Sequence, residues 1–157
     1  MKNSIYKITV ILVIGLLINT SCTKDDFCLQ NPVTPNLVLR FYDDTNKEST
    51  KDVSTLYVWA EGKDTIADFN GTSLDSIYIP LNSLTTETVY KLSNGTDVDT
   101  FTITYTPKEE YVSRSCGYKI TFNDVTFFSD NTWIKEFTPS TLTTLDNQNT
   151  AHVQIFH

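Results

Sequence analysis

Apolar and polar positions alternate with a period of two along most of this chain. Leu37-Val38-Leu39-Arg40-Phe41-Tyr42 is a strongly apolar run, stopped by Asp43-Asp44 and a polar stretch to Asp52. Val53 to Ala60 puts Val53, Thr55, Tyr57 and Trp59 on one face and Leu56 and Val58 on the other, because successive strand side chains point to opposite faces. Glu61-Gly62-Lys63-Asp64 predicts a turn and Ile66 to Phe69 a short edge strand. Ser76 to Leu81 predicts a strand with Ile77 and Ile79 inward, ended by Pro80. Thr88 to Leu92 and Val98 to Tyr105, joined through Asn94-Gly95, give the strongest hairpin signal, since Asn-Gly supplies the positive φ of a tight turn. In its second arm Phe101, Ile103 and Tyr105 alternate with Thr100, Thr102 and Thr104, and Pro107 to Glu110 is expected to break it.

Tyr118, Ile120 and Phe122 alternate in a further strand. Asn123-Asp124 reads as a turn, after which Val125 to Phe128 pairs back. Trp133 to Phe137 fits a strand or one helical turn, and Ala151 to Phe156 a closing strand. No window of eleven or more residues after Cys22 follows a 3.6 period. Seven to eight short strands with turn signals at this spacing predict an all-β fold. The expected architecture is an antiparallel β-sandwich, immunoglobulin-like or transthyretin-like, with a small barrel as the alternative.

The N-terminus breaks the pattern. Lys2 and Lys7 precede an apolar run from Ile8 to Ile18, followed by Asn19-Thr20-Ser21-Cys22. A run this short is about half the ~20 residues a membrane-spanning helix needs, so it reads as a secretory signal peptide. The small residues and the cysteine resemble a bacterial lipobox, with Asn19 where Leu is usual. The resemblance implies cleavage before Cys22 and acylation of that cysteine, so that membrane lipid is a partner through Cys22. Several acyl chains, at ~0.8 kcal/mol per buried CH₂, anchor a domain stably. Thr23-Lys24-Asp25-Asp26 resembles the export signal of Bacteroidota lipoproteins, which implies the outer face of the outer membrane through Lys24, Asp25 and Asp26. A periplasm-facing location is the alternative. The expected organisation is a signal peptide over 1–21, a lipidated tether over 22–35 held extended by Pro32 and Pro35, and a sandwich domain over 36–157.

Charge and composition narrow the classes. The chain has 157 residues and a net charge of −7; without Lys2 and Lys7, 10 basic residues face 19 acidic ones, a net charge of −9. An acidic surface with two arginines, Arg40 and Arg114, argues against a nucleic-acid partner. Aromatics at 12% and frequent Thr favour strands. With Cys22 acylated, Cys28 and Cys116 remain. An even remainder in an oxidising compartment reads as one disulfide, two free thiols or a metal pair being the alternatives.

Candidate chemistry is sparse. There is no Gly-x-Ser-x-Gly, phosphate loop or His-Glu-x-x-His. His152 and His157, five apart, fall on opposite strand faces, which disfavours a shared metal, and His157 reads as solvated. Asp43-Asp44 and the pair Asp97 and Asp99 are potential acid-base or calcium carboxylates, but their positions fit solvated turns better. Arg40 interrupts an apolar strand, so it faces solvent or pairs with a carboxylate. Arg114, beside Cys116, invites the same two readings. Asp64-Thr65-Ile66 and Asp75-Ser76-Ile77 resemble an O-glycan acceptor of exported Bacteroidota proteins, implying modification at Thr65 and Ser76. Asn70-Gly71-Thr72 and Asn94-Gly95-Thr96 read as turns.

Several phrases together resemble a family of small Bacteroidota lipoproteins known as a domain of unknown function. They are Cys22 followed by Cys28, Thr34-Pro35 leading to Leu39-Arg40-Phe41-Tyr42-Asp43, and Tyr105-Thr106-Pro107. Tyr111-Val112-Ser113-Arg114-Ser115-Cys116-Gly117 and the terminal Ala151 to His157 complete the set. The likeness spans nearly the whole chain after Cys22 and implies location and the cysteine pair, but no activity. The expectation is a non-catalytic binding or accessory module without a cofactor or metal, whose partner is an envelope protein or glycan. A small envelope hydrolase with paired carboxylates and a purely structural envelope component are the alternatives. An exposed Tyr and Trp cluster would favour a glycan or protein ligand.

Overall fold

A computed structural model of the protein describes Cys28 and residues 33–157. The chain divides into two compact units, residues 1–31 with 113–117, and residues 32–112 with 118–157. In the smaller unit Cys28 and Cys116 are joined by a disulfide, with their Cα atoms 4.7 Å apart. There the Cys116 N–H donates to Ser113 Oγ (3.0 Å), which tightens the 113–117 turn.

The larger unit is built of strands, and the described residues contain no helix. In chain order the strands are β1 (Leu37–Tyr42), β2 (Val53–Ala60), β3 (Thr65–Leu74), β4 (Ser76–Ile79), β5 (Glu87–Ser93), β6 (Val98–Ser113), β7 (Gly117–Ser129), β8 (Glu136–Thr138), β9 (Thr141–Leu145) and β10 (Val153–Phe156). They form a four-stranded sheet, β4-β1-β10-β8, and a six-stranded sheet, β3-β2-β5-β6-β7-β9. The core gathers inward residues of both sheets. Leu37, Leu39, Phe41, Ile77, Ile79, Val153 and Ile155 come from the smaller sheet, and Leu56, Val58, Leu92, Phe101, Ile103, Phe122 and Val125 from the larger. This is the expected β-sandwich, with two corrections. Among the described residues it has ten strands rather than seven or eight, and it is mixed rather than antiparallel throughout. β1 runs parallel to β10, pairing Leu39 with Val153 and Phe41 with Ile155. A parallel neighbour suits β1, whose buried run Leu37-Val38-Leu39 does not alternate.

Other departures have local causes. β2 buries both Val53 and Leu56, three apart, because its register against β3 shifts between them. Val53 therefore does not share the outer face with Tyr57 and Trp59. β3 is ten residues long and runs through Asn70-Gly71, where Gly71 takes φ +76° inside the strand rather than in a turn. β6 passes through Pro107. Tyr105 N–H donates to Thr86 O (2.9 Å), just before β5 begins at Glu87. Two residues further along, the nitrogen of Pro107 points past the end of β5, where no ladder bond is lost. β7 runs through Asn123-Asp124. Asp124 takes φ +50°, and the inward set changes phase across it, from Phe122 to Val125 and Phe127. β9, which the alternation did not predict, changes phase with it, setting Leu145 opposite Phe122 and Leu142 opposite Val125. Of Trp133 to Phe137, residues 133–135 are an irregular connection, and Glu136 and Phe137 open the three-residue β8. At the Asn94-Gly95 turn only Gly95 has positive φ; Asn94 acts through its side chain, whose Oδ1 accepts from Thr96 N (2.9 Å) and Asp97 N (2.8 Å).

Candidate binding site

The inward face of β2 is fixed by Leu56 and Val58, so Tyr57 and Trp59 point away from the core. Cross-strand partners lie on the same face: Tyr57 stands opposite Asn70 of β3 and Ser93 of β5, and Trp59 opposite Thr65 and Lys91. The β2–β3 turn, tightened by Lys63 N–H donating to Ala60 O (3.0 Å) and by Gly62 at φ +72°, brings Lys63 and Asp64 to the rim. The result is an open groove of about 350 Å³, lined by Tyr57, Trp59, Lys63, Asp64, Thr65 and Ser93. Gly71 sets the ring of Tyr57. A Cβ built there would lie 3.0 Å from the Tyr57 hydroxyl oxygen and 3.2 Å from Cζ, so the phenol lies across the bare backbone of β3. Lys91 borders the same face and is held in place, its Nζ donating to Thr100 Oγ1 (2.8 Å) and lying 3.9 Å from Glu61 Oε1.

A second concavity of about 420 Å³ lies between Ala60, Pro80, Leu81, Asn82 and Tyr90. Glu61, Lys63 and Glu87 also line it, while its hydroxyl groups are committed to the fold. Tyr90 O–H donates to Pro80 O (2.6 Å), Tyr105 O–H to Asn82 O (2.8 Å), and Thr88 Oγ1 contacts the Tyr105 hydroxyl. Burial, with the neighbouring Tyr105 second, pushes Tyr90 up to about 12, so its proton stays on.

The carboxylates separate. Asp99 is fully buried, not solvated: Oδ1 accepts from Thr132 N (2.6 Å), and Oδ2 from Trp133 N and Ile134 N (2.8 Å each). Asp97 is exposed, so the two do not act as a pair. Sequence carried a signal for Asp99, which is in phase with inward Phe101, Ile103 and Tyr105. Asp43 is a turn carboxylate as expected. Its Oδ1 accepts from Thr45 N (2.9 Å) and Thr45 Oγ1 (2.8 Å), and the Thr45 N–H is the main cause holding it below the usual range.

Both histidines precede or follow β10 rather than lying within it. His152 exchanges two bonds with Val38: Val38 N–H donates to its Nδ1 (2.9 Å), and its own N–H donates to Val38 O (2.9 Å). His157 is half-buried rather than solvated, edge-on to Phe41 (ring centroids 6.0 Å apart) and to Trp133 (5.6 Å). Burial is the largest cause lowering both histidines below 6.5. Among the described residues no group of three or more His, Cys, Asp or Glu could hold a metal ion.

Arg40 is on the solvent side of β1 and pairs there with Asp75, Nη2 to Oδ2 3.5 Å. Arg114 is exposed in the 113–117 turn. Thr65 is exposed at the start of β3, whereas Ser76 is half-buried at the start of β4 with its Oγ donating to Asp75 Oδ1 (3.0 Å). Cys22, Lys24, Asp25 and Asp26 lie outside the described residues.

Fold and groove together define an all-β sandwich with an open aromatic groove on the outer face of its larger sheet. Residues 55–157 match the family of unknown function DUF6452, and the chain belongs to that family. The matched span begins in β2, so it is shorter than the likeness read from the sequence, and the phrases from Cys22 to Asp43 lie before it. No curated protein and no solved structure matches the chain.

Proposed function

We propose that this protein is a lipoprotein of Bacteroidota type, anchored through acylated Cys22 and displayed on the outer membrane, where it works as a non-catalytic binding or accessory module. The anchor reading is supported by the basic, apolar and small-residue order of residues 2–22 and by Lys24-Asp25-Asp26 behind it. The binding reading is carried by one observation: the aromatic pair Tyr57 and Trp59 faces away from a complete core and floors an open groove with a polar rim.

A small envelope hydrolase is the weaker reading. Paired-carboxylate chemistry needs two acids facing one cleft, whereas both oxygens of Asp99 are taken by backbone donors and Asp43 is held in its own turn.

The test is capture of partners from intact cells, comparing the wild type with Trp59→Ala. Wild type should recover a partner that Trp59→Ala loses. Equal recovery by both would remove the groove from the function, and recovery of nothing would favour a purely structural component. In the same cells Cys22→Ala should leave the membrane fraction; retention after a salt wash would refute the anchor. Added protease should cut the displayed protein, and changing Lys24, Asp25 and Asp26 to Ala should protect it.

A further inference from the structure

We infer that the groove of Tyr57 and Trp59 is a saccharide-binding site for a short, neutral stretch of glycan. This rests on the binding-module reading and names the ligand class.

A pyranose presents an apolar C–H face and a girdle of hydroxyls. It therefore needs a flat aromatic platform ringed by groups that donate and accept hydrogen bonds. Tyr57 and Trp59, two residues apart on β2 and both partly exposed, bring two aromatic rings to one sheet face. The rim supplies each hydrogen-bonding type: the Lys63 ammonium donates, the Asp64 carboxylate accepts, and the exposed Thr65 hydroxyl does both, while Ser93 is buried and its Oγ already accepts from Gly95 N–H (3.1 Å). Neither the Lys63 ammonium nor the Asp64 carboxylate is taken up by a partner among the described residues, so both are available to a ligand.

Charge selects against other planar ligands. Lys63 on the rim is matched by adjacent Asp64, Lys91 beside the groove lies 3.9 Å from Glu61, and the whole chain is acidic at −7, so a phosphorylated or carboxylated ligand gains no net attraction. A volume of about 350 Å³ falls at the small end of ligand sites, which are ~300–1,000 Å³, and fits a short segment of sugar rather than a folded surface.

The platform is also set before a ligand arrives. The Tyr57 ring rests over Gly71, which cannot carry a side chain without meeting that ring. A ring fixed in advance loses less freedom on binding, and a neutral ligand on a weakly charged site depends on such savings.

The experiment uses the full-length protein in detergent with maltohexaose, cellohexaose, mannohexaose and xylohexaose as probes, read by calorimetry and tryptophan fluorescence. The second tryptophan, Trp133, is buried with its indole N–H donating to Leu92 O (2.9 Å), so an emission change reports Trp59. At least one probe should bind, with little dependence on salt. Trp59→Ala should weaken it by about tenfold or more. The exposed rim variant Lys63→Ala with Asp64→Ala, which leaves the core untouched, should weaken it too while thermal unfolding is unchanged. Failure of every probe, or equal binding by both variants, overturns the inference. If cells then still yield a partner that Trp59→Ala loses, the saccharide inference falls while the binding module stands; if no partner is recovered either, both fall.

Discussion

Asp99 is the residue whose chemistry is most committed to the fold. A carboxylate with no exposed surface persists only if its acceptors are filled, and three successive N–H groups of the β7–β8 connection fill them. Asp99→Ala leaves the N–H groups of buried Trp133 and Ile134 unpaired and removes the bond from Thr132 N–H. It should cost about 3–5 kcal/mol in urea unfolding, since each bond to a charged group is worth ~1.5–3 kcal/mol and losses at one site are not additive. Asp99→Asn, which keeps an acceptor oxygen, should fall between; a loss under about 1 kcal/mol for Asp99→Ala would show that the connection holds by other means. The alternation of residues 99 to 105 made this position legible as inward, yet the identity of its donors depended on a connection more than thirty residues away. His152 gives a pH signature of the same kind. Accepting Val38 N–H at Nδ1 requires the neutral ring, and burial lowers its pKa below 6.5. In the unfolded chain the ring titrates near its ordinary value, so below about 6.5 the unfolded state binds more protons. Stability is therefore full above pH 6.5, falls as pH drops toward the lowered folded value, and levels off beyond it. His157 shifts in the same direction and adds to the slope. Unfolding midpoints at pH 7.5 and 5.5 should show the loss, and His152→Asn should flatten it; an unchanged slope in the variant would remove His152 from the account.

At the scale of elements, two glycines separate backbone strain from contact. Gly62 (φ +72°) has nothing within 4 Å of a built Cβ, whereas at Gly71 (φ +76°) a Cβ meets Tyr57. Each Gly→Ala change carries the left-handed cost of ~1–2 kcal/mol, and Gly71→Ala must in addition displace the phenol ring. Gly71→Ala should therefore destabilise more than Gly62→Ala and alter the emission of neighbouring Trp59; equal costs with unchanged emission would mean that the ring does not rest on that backbone. Strands with one buried face were legible for a simple reason. In β4, β5 and the first half of β6, apolar side chains mark the inward positions, and β1 was legible as an apolar run instead. Edge strands were harder. β3 and β9 are rich in exposed Thr, Asn, Ser and Asp, so the contrast between their faces is low. Pro107 and Asn123-Asp124 looked like stops, but one nitrogen points where no strand pairs, and the other pair bends a strand that continues. For the groove, alternation put Tyr57 and Trp59 on one face. Which face looked outward followed only from the register shift that turns Val53 inward, a consequence of pairing with β3 that no short window contains.

The whole sandwich depends on a chain that repeatedly changes sheet, and three of its crossings are tied by polar side chains as well as by the apolar residues they bury, among them Leu81, Trp133 and Ile134. The β4–β5 crossing is tied by Tyr90 to Pro80 O and by Tyr105 to Asn82 O. The β7–β8 crossing is tied by Asp99. The β9–β10 crossing is tied by His152 to Val38 and by Gln148, whose Oε1 accepts from Asn36 N (2.9 Å). The connections are largely exposed, but the backbone groups that these ties reach at the edge of the core need partners. They also join segments distant in sequence, so the unfolded chain has much freedom to lose before they form. The disulfide acts on that freedom directly. Cys28 and Cys116 are 88 residues apart in sequence, and the bridge between them encloses β1 to β6 in one covalent loop. Closing a loop of that length in the unfolded chain is worth about 4–5 kcal/mol on the chain-entropy model, a large share of the ~5–15 kcal/mol typical of a domain. Replacing both cysteines by Ser should lower the unfolding free energy by up to that amount. The folding rate should fall too, to the extent that the transition state already draws this loop together. Reducing the wild type should reproduce the equilibrium loss, and reducing the double variant should change nothing. If the double variant unfolds at the wild-type denaturant concentration, the crossings alone carry the fold and the bridge adds nothing to its stability.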